Sequence, residues 1–385
     1  MNIQATNRRR RIAALAALAT LGAGAAVAAV TATSSAAPVY GAGATGGIGT
    51  APDKTVASVI APDGDRDPFG IAIVPLTMGK LTAGNLLVAE FGDKQGTAGT
   101  GTTILQVNPA TGKTSVFFRG GPVAGPVGVA INPANDGVWV GDYGRAASGT
   151  AANDLLIAPN GKVKAVYTGA TTHGAASFVG VWGQEVSAGG GKISFYYGNA
   201  GNASTGTGGG DVVRLTPHPK GPVNGQPVNA TYARIATGQG ETPRGGNAAI
   251  AAGPQGFAFA ADGTAYETND ASNTLYAIPH AATATSPVAA SIIYRGPALQ
   301  SPENVAIDPR NGDLLVVNAN DNSLVVITSG GKLVATRDLA AHQPTGALFG
   351  LAVGTNAAGD LVLYYTNSNT STLHELVLQA HYAQH

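Results

Sequence analysis

Six tandem repetitions of a strand, turn, strand, loop, strand pattern predict an all-β chain. A fourth strand-like run follows five of them, and an unused β-branched run stands just ahead of the first. Together these observations predict a six-bladed β-propeller, its ring closed by an N-terminal strand. Composition agrees. Of 385 residues, 44% are hydrophobic and 11% charged, too apolar for a disordered chain, and the 55 glycines keep no three-residue period that would suggest collagen.

The first segment is set aside before the fold is read. Arg8 to Arg11, an Ala/Leu/Val stretch from Ile12 to Val30 and the small residues Thr33 to Ala37 make an export signal, with Ser34 and Ala36 at a small-x-small cleavage site. The arginine cluster and mild apolar region also suit a twin-arginine signal. Residues 1–36 are thus the expected signal, 37–50 a flexible leader and 51–385 the propeller, in a periplasmic or secreted protein. Removing the signal deletes four Arg and no acid, which leaves 18 basic residues against 22 acidic. That balance, without a Lys/Arg run, argues against nucleic acid or anionic lipid as partners and, once the signal is gone, no membrane span is expected. With Cys 0, neither disulfides nor thiolate metal sites are possible.

The units follow in order. The first runs PFGIAIVP, GNLLVAEFGD, TTILQVNPATGK; the second GPVGVAINP, DGVWVGDYG, NDLLIAPNGK; the third SFVGVWG, GKISFYYGN, GDVVRLTPHP. The fourth is GPQGFAFAADG, TAYETND, SNTLYAIP; the fifth is Ser301 to Ile327; the sixth ALFGLAVG, GDLVLYYTNSN, STLHELVL. Fourth strands are predicted at Ser115–Phe118, Val163–Tyr167, Tyr232–Ile235, Ser291–Tyr294 and Leu333–Arg337. The sixth unit has no follower, and Thr55–Ile60 supplies the missing strand. Equivalent positions fall at Gly70, Gly128, Gly180, Gly256, Asn304 and Gly350, which puts Phe69, Val127, Val179, Gln255, Glu303 and Phe349 at the axis.

The aromatic-Gly or Pro-x-Gly strand openings, with GDLLVVNANDNSL at Gly312–Leu324, resemble the NHL repeat and the blades of gluconolactonase-type and streptogramin-lyase-type propellers. The resemblance spans residues 51–385 and is specific for the fold, which hosts unrelated chemistries. It implies either a binding module or an enzyme. In gluconolactonase-like propellers a Glu, an Asn and an Asp near the axis hold one divalent cation, here Ca²⁺ or Zn²⁺, that polarises a lactone carbonyl. Glu303, Asn304 and Asp142 match those residue types. A lyase of the streptogramin type implies a His and Glu pair, for which His342 and Glu303 stand on neighbouring blades.

Strand direction places the loops into first strands and those between second and third strands on one face, and these are the long polar ones. A small molecule or protein is expected there, on a monomer. Glu303, Asn304, Gln255, Asp142, Glu90 and Asn320 are the candidate binding residues, and Glu303 and His342 the candidate catalytic ones. Asp63, Asp65 and Asp67 resemble a calcium loop but lack its Gly at the sixth position and Glu at the twelfth, so an acidic turn is the plainer reading. Trp139 and Trp182 read as core between blades, with Trp182 near enough to the axis to stack on a sugar. The expected role is a binding or interaction module on the loop-rich face; the alternative is a metal-dependent lactonase-like hydrolase.

Overall fold

The computed structural model describes residues 46–144, 152–167, 180–187, 193–199, 210–217, 230–236, 242–243, 251–356 and 358–378. The expected signal, residues 1–36, lies outside them. Six four-stranded antiparallel sheets make six blades. Blade 1 is β2 (Arg66–Ile73), β3 (Leu86–Gly92), β4 (Thr103–Val107) and β5 (Thr114–Arg119). Blade 2 is β6 (Pro126–Ile131), β7 (Val138–Asp142), β8 (Asn153–Ile157) and β9 (Val163–Tyr167). Blade 3 is β10 (Val181–Ser187), β11 (Ser194–Asn199), β12 (Asp211–Pro217) and β13 (Ala230–Ala236). A two-stranded pair, β14 (Thr242–Pro243) and β15 (Ala251–Ala252), precedes blade 4, which is β16 (Pro254–Phe259), β17 (Ala265–Asn269), β18 (Thr274–Ile278) and β19 (Ser291–Arg295). Blade 5 is β20 (Pro302–Ile307), β21 (Leu314–Asn318), β22 (Ser323–Ile327) and β23 (Leu333–Asp338). Blade 6 is β24 (Leu348–Thr355), β25 (Leu361–Asn367), β26 (Thr372–Leu378) and, in fourth place, β1 (Asp53–Ser58).

The N-terminal strand therefore closes the ring, running antiparallel to β26 from the pair Asp53/Leu376 to the pair Ser58/Thr372. It begins two residues earlier than the β-branched run suggests, because Asp53 holds the partner strand: Tyr365 Oη donates to Asp53 Oδ2 at 2.5 Å and His374 Nδ1 lies 3.0 Å from Oδ1. The end of the leader also differs from expectation. Gly46–Thr50 is one helical turn, α1, whose Ile48 packs on the blade 5 and 6 core while Arg337 Nη1 donates to Ile48 O (2.6 Å) and Ala51 O (2.7 Å). A cation satisfying two carbonyls fixes a segment that Gly-rich composition alone leaves free.

Alternating residues on each blade point to opposite neighbours, so the apolar core is divided into clusters between blades. Leu87, Ala89 and Ile104 meet Val129, Ile131 and Val140 between blades 1 and 2, and Ala57, Val59 and Leu373 meet Ile71, Val88 and Leu105 across the closure. Trp139 is core as expected, stacked on Phe195 at 3.6 Å between blades 2 and 3.

Nearest the axis the blades touch backbone to backbone. A Cβ on Gly70 would sit 2.1 Å from Val127 O, one on Gly183 1.9 Å from Gln255 O, and one on Gly350 2.1 Å from Phe69 O. Gly70→Ala is therefore expected to spread blades 1 and 2 and to cost about 3 kcal/mol or more, read as a loss of melting temperature; an unchanged melt would contradict this packing.

Candidate functional site

The six innermost strands surround the axis, and their pairing fixes which residues are equivalent. Pro68 pairs with Glu90, Pro126 with Asp142, Val181 with Asn199, Pro254 with Asn269, Pro302 with Asn318 and Leu348 with Asn367. The next residue in each strand forms the axial ring: Phe69, Val127, Trp182, Gln255, Glu303 and Phe349. This corrects the expected register in blade 3. Val179 lies outside the described residues, and the ring glycine is Gly183 in place of Gly180: Val181 pairs with Asn199, and a Cβ on Gly183 would meet the following blade's ring backbone at Gln255 O. The repeat is thus FGIA, VGVA, WGQE, QGFA, ENVA and FGLA. The sequence VGVW at Val179–Trp182 imitates it three residues early.

With Trp182 in the ring, the axis gains an aromatic roof. Phe69 stacks on Phe349 with centroids 3.8 Å apart and meets Phe91 at 4.5 Å and Trp182 edge-on at 5.6 Å; Tyr143 completes the group, 5.4 Å from Trp182. Such tilted and edge-on contacts are favourable beyond their burial. Phe69 and Trp182 are buried. Beneath the roof lies a cavity of about 390 Å³, lined by Phe69, Trp182, Glu303 and Phe349 and then by the innermost strands down to Ile73, Ile131, Val186, Phe259, Ile307 and Val353. That volume is within the range of small-molecule pockets.

The residues named from sequence divide between this cavity and the loop framework. Glu303 is buried in the lining, and Ser301 Oγ donates to its Oε1 at 3.3 Å. Asn304 also lines the cavity, but its Oδ1 accepts from Val305 N at 2.9 Å. Gln255 is fully buried and donates from Nε2 to Asp270 Oδ1 at 3.0 Å, facing its own blade's loop. Asp142 accepts from Ala124 N (2.8 Å) and Asn153 Nδ2 (2.9 Å); burial pushes its carboxyl up to about 7 against those two bonds. Asn320 is exposed on the β21–β22 loop, its backbone N donating to Gln300 O at 3.0 Å. His342 is exposed in the turn before β24, at φ 67°, and is not in the cavity lining.

A divalent cation on Glu303, Asn304 and Asp142 does not fit this arrangement. Both Asp142 oxygens and Asn304 Oδ1 are already accepting, and among the described residues no three His, Asp or Glu side chains gather to hold a metal. The carboxylates of the acidic turn are likewise engaged by other partners. Asp63 pairs with Arg119 at 2.9 Å, Asp65 Oδ2 accepts from Thr102 N (2.8 Å) and Thr103 Oγ1 (2.8 Å), and Asp67 accepts from Ser368 Oγ of blade 6. Burial raises Asp67 to about 6, with the Ser368 bond opposing.

Glu90 is different again. Fully buried, with neither carboxylate oxygen hydrogen-bonded, it occupies the strand end where four other blades carry Asn, and burial first, then the charges of Asp67, Asp65 and Asp63, hold it well above the carboxylate range. A titratable acid thus stands in an amide's place.

One cavity-lining carboxylate escaped the sequence reading. Glu185 lines the cavity, partly accessible from it, and accepts from Val186 N at 2.7 Å; burial pushes it up to about 7, the Val186 bond opposing. The signal that finds it is the repeat itself, once WGQE is aligned with FGIA.

With this geometry the chain can be compared with known proteins. No protein-family model and no curated protein matches it. Among solved structures it is similar to a gluconolactonase from Xanthomonas campestris, at 17% identity over 86% of this chain and 90% of that one, with a TM-score of 0.55. A second structure assigned as a gluconolactonase gives 16% identity over 86% and 95%, with a TM-score of 0.53. Virginiamycin B lyase from Staphylococcus aureus gives 12% identity over 85% and 99%, with a TM-score of 0.49. The fold is that of the gluconolactonase propellers. At such identities the likeness is one of architecture, and the site must speak through its own residues. The axial ring of this propeller has four apolar side chains, Phe69, Val127, Trp182 and Phe349, and no metal donor set is assembled among the described residues. No helix among those residues is long and apolar enough to cross a membrane.

Proposed function

We propose that this is an exported propeller that binds a small molecule in its axial cavity, with the ligand's apolar face against the aromatic roof and its polar groups on Glu303. The observation that carries the reading is the 390 Å³ cavity roofed by Phe69, Phe349 and Trp182 and lined by Glu303. Aromatic faces exclude water and hold a flat or cyclic body, while a buried carboxylate rejects ligands that cannot donate to it. This moves the expected binding site from the loops of the face to the channel beneath them.

A second reading, hydrolysis of a lactone, is favoured by the placement of Glu303 at the axis of a gluconolactonase-type fold. Glu303 would then act as a general base, taking a proton from water as it attacks the carbonyl. The two readings are separated by titrating the purified protein with lactones and with small non-hydrolysable cyclic molecules in a calorimeter while acid release is followed. Saturable heat without acid release, weakened about tenfold in Glu303→Gln, is the expected result. Acid release that Glu303→Gln abolishes would replace it with the hydrolase. Absence of both heat and turnover would overturn the two together.

A further inference from the structure

Strand pairing places one residue of each innermost strand at the same depth in the channel. Five are alanines: Ala72, Ala130, Ala258, Ala306 and Ala352, paired with Leu87, Trp139, Tyr266, Leu315 and Tyr364. The sixth, paired with Tyr196, is Glu185. A ring of methyls that packs five blades has no structural need of a carboxylate in the sixth, and putting one there costs folding free energy unless a proton or a cation neutralises it. Its environment sharpens the point. Oε1 accepts from Val186 N, and no other hydrogen bond reaches the carboxylate among the described residues. Among the described residues the cavity lining holds two acids, Glu185 and Glu303, and no Lys, Arg or His. Apolar walls around charges of one sign focus the field and concentrate ions of the opposite sign. The same lining includes Phe69, Phe349 and Trp182, aromatic rings that attract an organic cation and give nothing to an anion.

We propose that the axial cavity selects a small organic cation, an ammonium on an apolar body, and that Glu185 is the residue that selects it. The proposal rests on the reading of the cavity as a ligand site and names the class of ligand. It also sets the protein apart from a handler of sugar acids, whose carboxylates the two glutamates would repel.

The test uses a pair of probes that differ in charge and hardly in shape: choline and its neutral isostere 3,3-dimethylbutan-1-ol. Each is titrated calorimetrically into the full chain and into Glu185→Gln at pH 8. Choline is expected to bind at least about tenfold more tightly than the alcohol, and Glu185→Gln to erase that preference while leaving the alcohol's affinity in place. Equal binding of both probes to the natural chain, or a preference that survives in Glu185→Gln, would overturn the selection of cations and leave the cavity reading standing. No binding of either probe would count against the cavity reading itself. Glu185→Ala restores the residue of the other five blades and serves the same comparison if the glutamine variant does not fold.

Discussion

The folded chain is expected to be most stable in mildly acidic solution, between about pH 4 and pH 6, and to lose several degrees of melting temperature by pH 8. Asp142 and Glu185 are raised to about 7, Asp67 to about 6, and Glu90 and Asp154 are raised as well. A carboxyl whose folded pKa lies above its unfolded one contributes stability that is full below the unfolded value and lost as pH rises through the folded value. For fully buried Asp142, moving from 3.8 to about 7, the loss is roughly 4 kcal/mol at one pKa unit per 1.4 kcal/mol. At the acid end Asp53 and Asp63 work in the other direction: their carboxyls are lowered, despite some burial, by His374 and Tyr365 and by Arg119, so their contribution disappears as pH falls below about 4. Glu90→Gln isolates one term. It keeps the shape, removes the buried titratable group and should raise the melting temperature at pH 8 while changing little at pH 5. A melting curve that rises steadily from pH 5 to pH 8 would contradict the burial of these groups as acids.

Ring closure supplies the second large effect. A chain beginning at residue 46 keeps β1 and the α1 turn and should melt like the chain without its signal. A chain beginning at residue 59 leaves β26 as an open edge and removes Ala57 from the seam between blades 6 and 1. It is expected to aggregate or remain unfolded, because the loss of β1 removes part of the seam and leaves β26 unpaired as a template for association. Asp53→Ala is the finer test. It leaves Tyr365 Oη and His374 Nδ1 without their acceptor and should cost about 2 kcal/mol. If both truncations melt alike, the strand is ornamental.

Most of the fold was legible because each level of the sequence repeats the same message. The β-branched strands, the Gly turns and the five follower strands sit within one to three residues of the observed bounds, and Val163–Tyr167 coincides with β9. What sequence could not settle was register. In blade 3 the string SFVGVWGQE offers two glycines three residues apart, and hydrophobic pattern favours the first. The pairing of Val181 with Asn199 and the close approach of Gly183 to Gln255 O decide for the second. That single shift put Trp182, which the earlier register only brought near the axis, into the axial ring, and it put Glu185, which that register did not single out, into the channel. The candidate site was legible at Glu303 and Asn304, which do line the cavity. Asp142 was misleading for a physical reason: a carboxylate at a strand end can cap its own blade's loop, and here Ala124 N and Asn153 Nδ2 consume it. The leader's last turn was hidden because its order comes from Arg337, nearly the whole chain away.

The most direct test of the account follows the one tryptophan in the roof. Trp139 is buried between blades 2 and 3 and can be replaced by Phe, which leaves Trp182 as the sole indole. Titrating that protein with choline should change the Trp182 emission saturably, and Glu303→Gln should weaken the response. An emission that stays constant while the same protein binds choline by calorimetry would place the ligand elsewhere and contradict a site beneath the aromatic roof.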